Sequence, residues 1–280
     1  MERIWLKNYP AGVPHDVDAD AYPSVAQMLE ESFHRHADSP FSVCMDRWMS
    51  YRELDRLSAR LGAWLQGQGL APGARVAIML PNVPQFAVTM AAVLRAGYTC
   101  VNVNPLYTAR ELEHQLKDSG ATAIVILENF AHTLAEVIDH TAVQHVVIAS
   151  MGDLLGAWYG RWITFAVRHL AKMVPAYELP LTGGRQVISF KRALALGERR
   201  TLTPARVAPD TPAFLQYTGG TTGLSKGAVL TQRNIVAATL QAEAWFTPAL
   251  GKIGDLSRAN SIAALPLYHI FALTLCLLAI

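Results

Sequence analysis

The sequence is short of charge. Only 16% of its 280 residues are Asp, Glu, Lys or Arg, and 24 basic against 22 acidic side chains leave a net charge of +2. Without a basic excess, nucleic-acid binding is not expected. Cysteine is scarce as well. Cys44, Cys100 and Cys276 lie too far apart for a CxxC zinc site, and they imply no disulfide framework. A reducing compartment, most simply the cytoplasm, follows. The N-terminus has no apolar segment of signal-peptide type and carries Asp16, Asp18 and Asp20. Neither His34 with His36 nor His140 with His145 has the i, i+4 spacing of a helical metal site, so these histidines are not expected to bind metal. Against these absences stands a hydrophobic fraction of 51%, ample for a buried core and too high for disorder.

One apolar run needs explaining. No charged residue follows Arg258, and the length would suit a membrane span. Asn260, Ser261, Pro266 and His269 interrupt it, however, so a buried strand followed by a helix start is expected. The run stops at Ile280 without a cap, and a longer parent protein is expected.

The periodicity places an amphipathic helix at 24–36, capped by Ser24 with Gln27, its stripe formed by Val25, Met28, Leu29 and Phe33. A second helix spans 51–66 behind Ser50 and Glu53, with Leu54, Leu57, Leu61, Trp64 and Leu65 inward, and ends at Gly67 and Gly69. Unbroken apolar runs then start at 75, 98, 122 and 144, separated by helical patterns, one of them behind a Thr108–Glu111 capping box. Runs without alternation are strands covered on both faces. The fold class is therefore α/β, with parallel-sheet subdomains. Residues 1–50 read as an N-terminal segment and 51–175 as a first α/β subdomain. The Pro-, Gly- and Arg-rich 176–211 reads as a linker or crossing, and 212–280 as the start of a second, incomplete α/β subdomain. Its sheet would have an open edge.

Residues 151–175 break the rhythm. A helix there places Leu155, Trp158, Tyr159, Trp162, Ile163, Ala166, Leu170 and Met173 on one side and Arg161, Arg168 and Lys172 on the other. Two readings stand: a helix packed on the sheet with a solvated basic face, or an element lying in a membrane interface.

The chemistry concentrates in AFLQYTGGTTGLSKGAVLT, residues 213–231. Gly219, Gly220 and Gly223 let backbone approach a ligand closely. Successive N–H groups in such a turn form an anion nest. Thr218, Thr221 and Thr222 add hydroxyls, and Lys226 adds a positive charge. Together these suit a polyphosphate. The order Ser225-Lys226-Gly227 is not that of a P-loop, and apolar runs on both sides argue strand–loop–strand. Gly67, Gly69 and Gly73 precede a strand instead of following one, so they are turn glycines and not a dinucleotide fingerprint.

YTGGTTGLSKGAVLT resembles the signature loop of the adenylate-forming superfamily, and ALPLYHIFAL (264–273) resembles a second motif of that family. Residues 80–126 and the opening WLKNYPAGVP are similar to bacterial long-chain fatty acid–CoA ligases. The resemblance spans essentially the whole chain but only about the first half of such an enzyme. It implies that Tyr217, Thr218, Gly219, Gly220, Thr221, Thr222, Gly223, Ser225, Lys226 and Gly227 bind the ATP phosphates, with Thr218 contacting Mg²⁺. It implies that His269 serves the acyl and adenylate site. Substrates would be a fatty acid, ATP and CoA, with the CoA site largely outside this chain. The family's metal-site glutamate, ribose aspartate and C-terminal domain are not in this sequence, so the chain alone is not expected to complete the reaction. The alternatives are a non-catalytic fragment that binds nucleotide or acyl groups or docks on a membrane, and a ligase of other acyl or aryl specificity. The expected location is cytoplasmic, with possible peripheral contact between 154–174 and anionic lipid.

Overall fold

The computed structural model describes residues 2–218, 225–252 and 260–279. Among these, seven strands form one sheet: β3 (Arg75–Met79), β4 (Thr99–Asn102), β5 (Ala123–Leu127), β6 (His145–Ala149), β7 (Gln186–Ser189), β8 (Pro212–Thr218) and β9 (Lys226–Thr231). Their spatial order is β7-β6-β5-β3-β4-β8-β9. All pairs are parallel except β8 with β9. A separate hairpin, β1 (Pro40–Cys44) with β2 (Arg47–Ser50), precedes them.

Both faces of β3, β4, β5 and β6 are covered, which is why these strands read as unbroken apolar runs. Val76, Ile78, Ala123, Val125 and Phe214 join one core with α1 (Val25–Arg35), α2 (Tyr51–Gln66), α3 (Pro84–Arg95) and α7 (Phe190–Gly197). Ala77, Met79, Ile124, Ile126 and Tyr217 join the other with α4 (Ala109–Ser119) and α5 (Ala131–Val137). The period-two alternation of each strand divides its residues between the two cores. The helix starts are those the sequence signalled. Ser24, Ser50 and Thr108 each accept a backbone N–H three residues on, and Thr108 with Glu111 completes a reciprocal box.

The structure changes three expectations and decides a fourth point that the sequence left open. First, 212–231 does not begin a second sheet: Pro212–Thr218 pairs with the free edge of β4, where Ala213 and Phe214 are fully buried. Second, 176–211 is more than a linker. It supplies β7, which extends the sheet beside β6, and α7, capped by Ser189. Third, residues 260–265 form no strand and are exposed, while the expected helix does begin at Ile270 (α9, Ile270–Ala272) and continues as a π-helix over Leu273–Leu278. Fourth, the helix after β6, α6 (Ala157–Phe165), buries only part of its apolar stripe. Leu155 and Ile163 pack inward, whereas Trp158, Tyr159, Trp162, Leu170 and Met173 face solvent. The backbone of Gly160 lies directly on Gly152, and this contact fixes the rotation of the helix.

Candidate functional site

Because β3, β4, β5, β6 and β8 are parallel, the segments that follow them all emerge at one edge, the carboxyl edge of the sheet. Open α/β sheets bind ligands at that edge. The glycine-rich loop leaves it after β8 and returns as β9. Thr218 and Lys226 pair across the antiparallel ladder, so the loop begins and ends at facing positions. Both side chains are exposed there. Gly219, Gly220, Thr221, Thr222 and Gly223 lie outside the described residues.

Two contacts from α4 hold the loop ends. Tyr217 donates its hydroxyl to Asp118 at 2.6 Å. Burial first, and the Asp118 carboxylate second, push this phenol well above the usual tyrosine range. At the other end, the His114 Nε2 lies 2.8 Å from the Ser225 carbonyl oxygen. His114 and Asp118 are four residues apart on one helix and therefore share a face. Gly227 sits against the Tyr217 ring, where a Cβ would come within 2.9 Å of it. Tyr217 and Gly227 thus shape the base of the loop by packing on each other.

Strand alternation sends Gln216 and Thr218 to the opposite face from Tyr217. On that face Asn102 donates to Gln216 at 3.2 Å, and Gln216 donates to the Tyr268 carbonyl at 3.1 Å. The strand bearing Thr218 is thereby tied to the segment bearing His269. Asn82, in the turn after β3, clasps the same segment. Its amide donates to the carbonyls of Ala263 and Leu265, and its oxygen accepts from the Leu267 amide, each at 2.8 Å. His269 is exposed just before α9, its ring 4.6 Å from that of Tyr268. It is therefore not a core histidine.

The donor set can be compared with what ATP and Mg²⁺ require. Among the described residues no cluster of three His, Cys, Asp or Glu is placed to hold a metal. The exposed Thr218 hydroxyl fits a Mg²⁺ that keeps waters and phosphate oxygens as its other ligands. Lys226, an exposed cation opposite it, fits the phosphates.

Sequence reasoning missed His114, Asp118, Asn82, Gln216 and Asn102. Only Asn82 carried a local signal, an Asn in a turn between a strand and a Pro-led helix. The others lie inside helices or strands, and their partners are distant in sequence.

The sequence model of the family described as AMP-binding enzyme matches residues 29–280. This chain is an AMP-binding enzyme by family. It is 49% identical over 282 aligned residues to a long-chain-fatty-acid–CoA ligase of Escherichia coli O157:H7, covering 100% of this chain and 49% of that protein. A ligase of the same name from Bacillus subtilis (strain 168) is 30% identical, with 98% of this chain and 47% of that one covered. The chain spans about half the length of these relatives. Among solved structures, a long-chain-fatty-acid-CoA ligase from Archaeoglobus fulgidus superposes with a TM-score of 0.67 at 22% identity, over 97% of this chain and 48% of the other. A luciferase from Phrixothrix hirtus gives 0.67 at 20%, over 94% and 45%. The mostly parallel sheet of this chain is the fold of the N-terminal domains of adenylate-forming enzymes.

Proposed function

We propose that this chain is part of an ATP-dependent long-chain fatty acid–CoA ligase and carries that enzyme's phosphate-binding half. The observation that carries the reading is the tie between β8 and the His269 segment. It joins the strand that leads into the glycine-rich loop to the segment that carries His269, and this supports a shared site at one edge of the sheet. The likeness to ligases of E. coli and B. subtilis supports a fatty acid as the acyl substrate.

In this reading the fatty carboxylate oxygen bonds to the α-phosphorus of ATP as the bond to pyrophosphate breaks. The thiolate of CoA then attacks the acyl carbon and AMP leaves. Mg²⁺ would supply charge neutralisation on the phosphates. Lys226 and the 219–224 backbone hold the β- and γ-phosphates, and Thr218 offers its hydroxyl to the ion. His269, exposed beside the same strand, orients the carboxylate or lines the acyl entrance. The enzyme works in the cytoplasm and is peripheral at the inner face of the membrane.

The test uses the full-length protein with ATP, Mg²⁺, CoA and fatty acids of graded length, following pyrophosphate release and thioester formation separately. Thioester formed fastest with long chains, and lost in His269→Ala, supports the reading. Pyrophosphate release with no fatty acid as co-substrate, or with short or aryl acids only, overturns it.

A further inference from the structure

Among the described residues the aromatic stripe beyond β6 is left largely exposed to solvent. Trp158 is 82% exposed, Trp162 59% and Phe165 53%. Tyr159, Leu170 and Met173 extend the same patch. Single exposed apolar side chains are ordinary, but a contiguous patch that includes two tryptophans marks an interaction surface.

The patch is not a loose tail. The Gly152–Gly160 backbone contact leaves no room for a Cβ on either side. Thr164 donates to the Gly160 carbonyl at 2.9 Å. The helix continues as a π-helical turn over Ala166–Leu170, from which Arg168 donates to Glu128 at 2.8 Å. Glu128 is 1% exposed, so Arg168, itself partly exposed, is clamped to a buried carboxylate. Asn129 holds the Met173 carbonyl at 3.0 Å. Of the three cations expected on the far side, Arg168 therefore belongs to the anchor. Arg161 lies with the aromatics, 5.8 Å from the Trp158 ring centre.

Charge selects the occupant. From Leu154 to Tyr177 there is no acidic residue, while Arg161, Arg168 and Lys172 are basic. Tryptophan and tyrosine settle at the headgroup level of bilayers, and nearby cations are drawn to anionic lipid. The platform follows β6 and so sits at the same edge of the sheet as the phosphate loop.

We propose that α6 and its π-helical extension form a rigid docking platform for an anionic phospholipid bilayer, with Trp158, Trp162 and Phe165 entering the headgroup layer and Arg161 and Lys172 contacting lipid phosphate. The inference rests on the ligase reading for its purpose, since a long-chain fatty acid is itself held in membranes, but the two fail separately. Full-length protein is floated with vesicles of phosphatidylethanolamine and phosphatidylglycerol, and with pure phosphatidylcholine as the control. The wild type is expected to bind the anionic vesicles preferentially. Trp158→Ala with Trp162→Ala, and separately Arg161→Glu with Lys172→Glu, are each expected to weaken binding roughly tenfold or more. All variants keep wild-type thioester formation with detergent-dispersed fatty acid, which reads the ligase independently. Hydroxyl-radical footprinting without lipid is expected to show both tryptophans reactive. Vesicle binding that is absent, or unchanged in both variants, overturns the platform. So does protection of the tryptophans without lipid: protection at every concentration shows that another part of the chain covers them, and protection that grows with concentration shows a second copy.

Discussion

The His114 Nε2 lies 2.8 Å from the carbonyl oxygen of Ser225, a residue 111 positions later in the chain. One turn further along α4, Asp118 holds Tyr217. A single helix therefore secures both ends of the glycine-rich loop, and the first predictions follow from that arrangement.

Lys226→Ala and Thr218→Val remove groups exposed at the loop mouth without touching either core. Each is expected to lower ATP–pyrophosphate exchange in the full-length enzyme by about 1–3 kcal/mol of lost contact. Thermal unfolding should stay within a degree or two of wild type, as is usual for surface substitutions. Unchanged exchange in both variants would remove the loop from phosphate binding.

His114→Ala leaves the cores intact and frees the far end of the loop. The apparent KM for ATP should rise several-fold, in line with one hydrogen bond of about 0.5–1.5 kcal/mol, while the fatty-acid KM stays constant. Steady-state kinetics with each substrate varied in turn separates the two.

Tyr217→Phe is expected to destabilise the fold by about 1.5–3 kcal/mol, because the hydrogen bond it removes goes to a carboxylate. Urea unfolding measures this. The native phenol has a raised pKa, since burial and then Asp118 both favour its protonated form. Its contribution is thus fully present below the unfolded tyrosine value near 10 and is lost as pH rises through the folded value. In ultraviolet titration, Tyr217 should remain un-ionised where exposed tyrosines have already lost their protons. The phenylalanine variant should show one fewer late-titrating group.

Asn82→Ala strips three hydrogen bonds from residues 263–267 at once. Amide exchange at Leu267 should accelerate at least tenfold, corresponding to about 1.4 kcal/mol or more of lost local stability. Adenylate formation should fall with it, because the His269 segment then depends on Gln216 alone among these polar anchors. Slow Leu267 exchange in the variant would show that packing, not Asn82, holds the segment.

Much of the fold was legible because local signals agreed with one another. Ser24, Ser50 and Thr108 mark helix starts, and the runs from Arg75 to Ala149 are buried on both faces as their unbroken apolarity requires. The sheet to which Pro212–Thr218 belongs was not legible. Parallel pairing with Thr99–Asn102 bridges more than a hundred residues, and no periodicity encodes which edge a strand will choose. The side of α6 that faces in stayed open between a packed helix and an interfacial one, because its aromatic stripe suits either; a glycine-to-glycine backbone contact, which side-chain patterns do not report, decides it. At the site, Thr218 and Lys226 could be singled out because glycines and hydroxyls cluster around them. His114 and Asp118 look like ordinary polar residues of an amphipathic helix until the loop arrives beside them.

Asn82 also sets an order of events during synthesis. Its partner Leu267 is made 185 residues later. At about 5–20 residues per second, that is roughly ten to forty seconds of translation. Throughout this interval the turn after β3 must keep its amide available to water while the strands around it assemble. The first part of the sheet therefore serves as a waiting template, and misfolding of the turn around Asn82 during that interval would leave the His269 segment without its docking point.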